Sequence, residues 1–162
     1  MIEVGETERL IRSYDAVPQT VPTARRELTE FAAAAGAKKE ELDSVRLAVS
    51  EALTNAVLHA YRGGPGKVHV SAAVAGEELW VLIGDDGFGL HAGGESAGLG
   101  IGLVLIAELT DSFSIVNRSS GGTEVRMRFT LERKPDERGG HSFPRSAFSA
   151  ARPASSVFST IR

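Results

Sequence analysis

Apolar and polar positions along the chain follow two periods, and the periods predict the elements. Residues 9 to 17 are mixed and read as a first strand. Pro18 and Pro22 mark the turn into a helix, with Thr20 as its N-cap. The run Ala24 to Ala35 is rich in strong helix formers, and Gly36 ends it. From Lys38 to His59, apolar residues fall at Leu42, Val45, Val49, Ala52, Leu53, Ala56 and Val57, which is helical spacing. Gly63-Gly64-Pro65-Gly66 stops that helix. Two β-type runs follow, Lys67 to Ala75 and Glu78 to Gly84, joined by a turn at Ala75-Gly76-Glu77. A glycine-rich loop then covers Asp85 to Gly98. Gly100 to Thr110 predicts a short helix that is apolar nearly all round, and so is expected to be buried. The last β-type runs are Ser112 to Asn117 and Thr123 to Leu131, around a turn at Ser119-Ser120-Gly121-Gly122.

The order β-α-α-β-β-loop-α-β-β brings strands together as hairpins rather than alternating them with helices. That favours an α+β fold, a two-layer sandwich of a mostly antiparallel sheet with helices on one face. Residues 1–132 are expected to form one domain. Residues 133–162 hold six serines and three prolines without apolar periodicity, and are expected to be a disordered tail.

Composition narrows the chemistry. The absence of cysteine excludes disulfides, thiolate metal sites and a cysteine nucleophile. His59, His69, His91 and His141 share no close ligand spacing, which argues against zinc. The net charge of −3 divides unequally: residues 133–162 carry +4 and residues 1–132 carry −7. An acidic body is not the footprint of a direct nucleic-acid binder. No signal peptide or membrane span is legible, so a cytoplasmic protein off the membrane is expected.

Three patches carry candidate chemistry. In the first, Glu51, Asn55 and His59 are spaced by four and form one polar line beside an apolar helix face. Asparagine is a poor residue for a helix interior, and a glutamate at the core boundary costs free energy unless paired. The line reads either as a structural hydrogen-bonded network or as a carboxylate base beside an oxygen ligand for a hard cation. The second patch, Asp85-Asp86-Gly87-Phe88-Gly89, follows an apolar strand. It is either an acidic turn or an acceptor for a ligand amino group, with glycines that let backbone approach a flat ring. The third, Gly98-Leu99-Gly100-Ile101-Gly102-Leu103, opens the short helix and is a packing motif or an anion site. There is no P-loop. The dinucleotide-binding glycine pattern fails because Leu103 stands at its final glycine position.

In their order the three patches, followed by Gly122-Thr123, resemble the GHKL superfamily of ATPases with the Bergerat fold. The closest resemblance is to its small stand-alone branch of anti-sigma factor serine kinases, and it covers about residues 9–131. It implies that Asn55 binds Mg²⁺ between the ATP phosphates and that Glu51 is the general base. It implies that Asp85 accepts from the adenine amino group and that Gly87 and Gly89 shape the adenine pocket. Gly98, Gly100 and Gly102 would flank the phosphates, and Thr123 would support adenine. A basic residue just before the glycines is missing, since Ser96 and Ala97 stand there. Arg62 and Lys67 are the candidates left to face the γ-phosphate. The implied function is an ATP-dependent protein-serine kinase acting on an anti-anti-sigma antagonist and sequestering a sigma factor, with a homodimer as a further expectation. The alternatives are a non-kinase ATP/ADP switch and a histidine-kinase catalytic domain acting in trans.

Overall fold

The computed structural model describes residues 8–62, 64–88 and 100–132. Gly89, Gly98 and the basic tail at 133–162 lie outside the described residues. Eight elements follow in chain order: β1 (Arg9–Asp15), α1 (Thr20–Ala34), α2 (Lys39–Leu58), β2 (Lys67–Ala75), β3 (Glu78–Asp85), α3 (Gly100–Leu109), β4 (Ser112–Asn117) and β5 (Thr123–Thr130). The strands form one antiparallel sheet in the order β1-β2-β3-β5-β4. The α+β two-layer expectation therefore holds, with element ends within a residue or two except at the start of α1.

Side chains alternate across a strand, so register assigns each residue to a face. Val68, Val70 and Ala72 of β2, Leu79, Val81 and Ile83 of β3, and Val125, Met127 and Phe129 of β5 are buried on one face. Against them pack Leu28 and Ala32 of α1, Val45, Val49 and Leu53 of α2, and Ile106 of α3. Asp85 ends the β3 series and shares the face of Ile83 and Val81. The opposite face of the sheet carries no helix among the described residues, and holds His69, Trp80, Leu82, Glu124 and Arg126.

Two local expectations need correction. Thr20 is not the N-cap of α1 but its first helical residue, and Gln19 precedes it without a side-chain cap. Pro22 fits the first turn because the N–H it lacks has no partner there. The buried Thr20 hydroxyl instead donates to the Asp15 carbonyl at 2.6 Å and ties α1 to the end of β1. The other correction concerns α3, which is not buried all round. Gly102 and Ile106 are buried, whereas Ile101 is 87% and Val104 62% exposed. A short helix lying on α2 at the edge of a single layer buries one stripe, here i and i+4, and leaves the other side open.

Candidate functional site

Glu51 and Asn55 lie one turn apart on α2 and face α3. A Cβ added at Gly102 would stand 2.8 Å from Glu51 Oε2, so the glycine makes room for that carboxylate, and 3.7 Å from Asn55 Nδ2, an ordinary contact. Asn55 Nδ2 is buried without a hydrogen-bond partner. The oxygen and nitrogen of an amide exchange places by a simple flip. The buried amide thus has an unused polar atom at the cleft, which suits a ligand that takes its oxygen. The residues present therefore fit a hard cation held chiefly by phosphates and water. His59, third in the polar line, is the exposed C-cap of α2, and its backbone N–H donates to the Asn55 carbonyl at 3.0 Å. Gly100 opens α3 with free space around its Cα.

Asp85 ends β3 and is almost wholly buried. Its Oδ1 accepts from the Gly87 N–H at 2.9 Å and the Thr123 N–H at 3.3 Å. Among the described residues nothing donates to Oδ2. Thr123 thus supports the aspartate through its backbone. Gly87 lies against the chain just past α2, where any Cβ would collide with the Ala60 carbonyl. Gly122, at φ +84°, likewise passes so close to the Asp85 carbonyl that a Cβ there has no space.

Burial pushes the Asp85 carboxyl above the usual carboxylate range, against the pull of the Gly87 and Thr123 N–H groups. With the folded-state pKa raised above the unfolded value, folding favours the neutral acid relative to the carboxylate. Stability from this group is then complete below the unfolded pKa and lost as pH rises through the folded one. Asp85→Asn keeps an acceptor oxygen and is neutral at every pH. It is expected to melt higher than the wild type at pH 7, with the gap closing below about pH 4 in thermal scans. A lower melting temperature at pH 7 would contradict this account of Asp85.

Neither candidate for the γ-phosphate cation is poised for it. Lys67 lies on the open face and pairs with Asp15 at 2.7 Å. Arg62, at φ +48°, stacks over the Phe88 ring, 4.8 Å from its centre.

Sequence reasoning missed a set of residues behind Asp85. Arg118 Nη1 donates to the Asp85 carbonyl at 3.0 Å and to Asp86 Oδ1 at 2.6 Å. His69 Nε2 meets Asp86 Oδ2 at 2.6 Å. The Tyr61 hydroxyl accepts the Asp86 N–H at 2.7 Å and donates to the Lys67 carbonyl. The only sequence signal was the doubled aspartate, since the partners are lone residues at distant positions.

A polar line on α2, a buried carboxylate at the end of β3 and a glycine-opened helix between them define a nucleotide-binding ATPase fold. Residues 14–129 match the histidine kinase-like ATPase domain family, and the chain belongs to it. Over 116 residues the chain is 28% identical to an anti-sigma F factor from Clostridium acetobutylicum, covering 65% of this chain and 81% of that one. It is also 28% identical over 146 residues to the serine-protein kinase RsbW from Listeria monocytogenes, covering 80% and 92%. Among solved structures it resembles the RsbU and RsbW domains of Rv1364c from Mycobacterium tuberculosis. The TM-score is 0.61 at 27% identity, over 77% of this chain and 33% of that longer one. Among the described residues no helix is long and apolar enough to cross a membrane.

Proposed function

We propose that this chain is an ATP-dependent protein-serine kinase that acts as an anti-sigma factor. Its protein substrate would be an anti-anti-sigma antagonist phosphorylated on serine, and its second partner a sigma factor, in the cytoplasm and as a homodimer. The observation that carries the nucleotide reading is the spacing of two polar groups along α2. Asp85 and Gly87 lie at the C-terminal end of α2, and Glu51 lies seven residues before that end. At 1.5 Å per residue the separation along α2 is about 10 Å, comparable with the span from a purine ring to its γ-phosphate. The anti-sigma F factor and the RsbW kinase among its relatives support the protein-kinase reading.

Each residue then has a distinct task. Asp85 Oδ2 accepts from the adenine amino group, which guanine replaces with a carbonyl. Asn55 presents its amide oxygen to Mg²⁺. Mg²⁺, when bound, would neutralise charge on the β- and γ-phosphates. The N–H groups at the start of α3, around Gly100 and Gly102, face the phosphates with the positive end of the helix dipole. Glu51 accepts the proton of the incoming serine hydroxyl as its oxygen attacks the γ-phosphorus in line and ADP departs. Positioning and charge do most of the work, so a domain this small suffices.

The test is transfer itself. With γ-labelled ATP and the small proteins encoded beside this gene, acid-stable label is expected on a serine of one of them. Tight ATP binding with no label on any protein would replace the kinase reading with that of a nucleotide-dependent switch.

A further inference from the structure

We propose that Arg118, Asp86 and His69 form a positioning relay, built on the sheet face away from the nucleotide, that holds Asp85 in place for adenine. The inference rests on the reading of Asp85 as the adenine acceptor.

The β3–β5 ladder ends at the Gly84–Glu124 pair, one residue short of Asp85. Beyond that pair the Asp85 carbonyl is bonded by a side chain, Arg118 Nη1 at 3.0 Å. The same nitrogen reaches Asp86 Oδ1 at 2.6 Å, so one guanidinium grips two consecutive residues. The guanidinium lies over Gly84, in ordinary contact distance (3.6 Å) of where a Cβ would stand. Asp86 is held on its other oxygen by His69 Nε2 at 2.6 Å, and the ring's Nδ1 lies 3.2 Å from Ser13 Oγ. The Asp86 N–H is fixed by Tyr61. Anchors from β1, β2, the α2–β2 connection and the β4–β5 turn thus converge on two residues. His69 and Arg118 line an open groove of about 480 Å³ with Ile11, Ser71 and Leu82.

Charge gives the relay a second effect. Asp86 is a carboxylate next to a buried carboxylate, and its charge opposes ionisation of Asp85. The Arg118 cation acts on both in the opposite sense, and with His69 it holds Asp86 ionised. Asp86 and Arg118 are the charged groups that act on Asp85, so loss of Arg118 leaves Asp85 facing a like charge alone. A loosened and more readily protonated Asp85 is a poorer acceptor for an amino group. Asn55 and Gly102, which would meet the triphosphate, lie farther back along α2 and do not depend on it.

The experiment compares ATP with purine riboside triphosphate, which lacks the amino group, by calorimetry on the full chain. Arg118→Ala is expected to weaken ATP binding about tenfold, the scale of one hydrogen bond to a charged group. Its affinity for purine riboside triphosphate should stay near wild type. The ATP deficit should grow as pH falls, because losing the Arg118 cation lets Asp85 take up its proton more readily than in the wild type. Arg118→Lys, which keeps the charge but not the fork, should recover part of the ATP affinity and serves if the alanine variant does not fold. Equal losses for both nucleotides, or no loss for either, would overturn the relay. Asp85→Ala, which has no acceptor oxygen, separates the two claims. If it abolishes the preference for ATP while Arg118→Ala does not, the relay alone fails. If it leaves the preference intact, the adenine role of Asp85 fails and the relay with it.

Discussion

Replacing Glu51 by glutamine is expected to lower phosphoryl transfer about 10²- to 10⁴-fold while ATP affinity stays close to wild type. Glutamine is nearly isosteric and keeps the space that Gly102 leaves for the side chain, so α3 need not move. What it loses is the ability to take a proton. A base contributes to the chemical step and little to ground-state binding, so the deficit belongs in turnover and not in the dissociation constant. Single-turnover transfer and equilibrium titration on the same preparation separate the two. Parallel losses in both would show that Glu51 holds the nucleotide and is not the base.

Gly122→Ala is expected to be the most damaging glycine-to-alanine substitution among the described residues, removing about 3 kcal/mol or more of stability and weakening ATP binding. Two costs coincide there. At φ +84° an alanine is strained wherever it sits, and here its Cβ would also run into the Asp85 carbonyl and stand 2.8 Å from Asp86 Cα. The neighbour Gly121 isolates the first cost: it lies at φ +98° with nothing within 4 Å of an added Cβ. Gly121→Ala should therefore cost only about 1–2 kcal/mol of backbone strain and leave nucleotide affinity alone. Urea unfolding of the pair, with ATP titrations beside it, measures both. Equal destabilisation by the two alanines would mean that Gly122 matters for its dihedral and not for its closeness to Asp85.

Much of this architecture is legible from local pattern. The apolar spacing in α2 and the alternation in β2 and β3 each repeat within their own segment, so a single sequence carries them. Glu51 and Asn55 were legible for the same reason, since polar residues four apart on an apolar helix stand out. The start of α1 was misjudged because Thr20 and Pro22 both fit a helix entry. Only the tertiary bond from Thr20 to Asp15 decides between cap and first turn. The exposure of α3 was misjudged because composition reports how apolar a helix is, not how many neighbours it has. The group behind Asp85 was not legible at all. Tyr61, His69, Asp86 and Arg118 have no shared period, and β-sheet register and turn closure bring them together from separate segments. That Thr123 serves Asp85 through its main chain was hidden as well, since a backbone N–H has no sequence signature.

The most direct measurement is a crystal structure of the protein with Mg²⁺ and a non-hydrolysable ATP analogue. The account predicts the adenine amino group within hydrogen-bond distance of Asp85 Oδ2, and the Asn55 amide oxygen on the metal ion. It also places the γ-phosphate between Glu51 and the first turn of α3. Adenine bound away from Asp85, or triphosphate with no approach to Asn55 and Glu51, would contradict it.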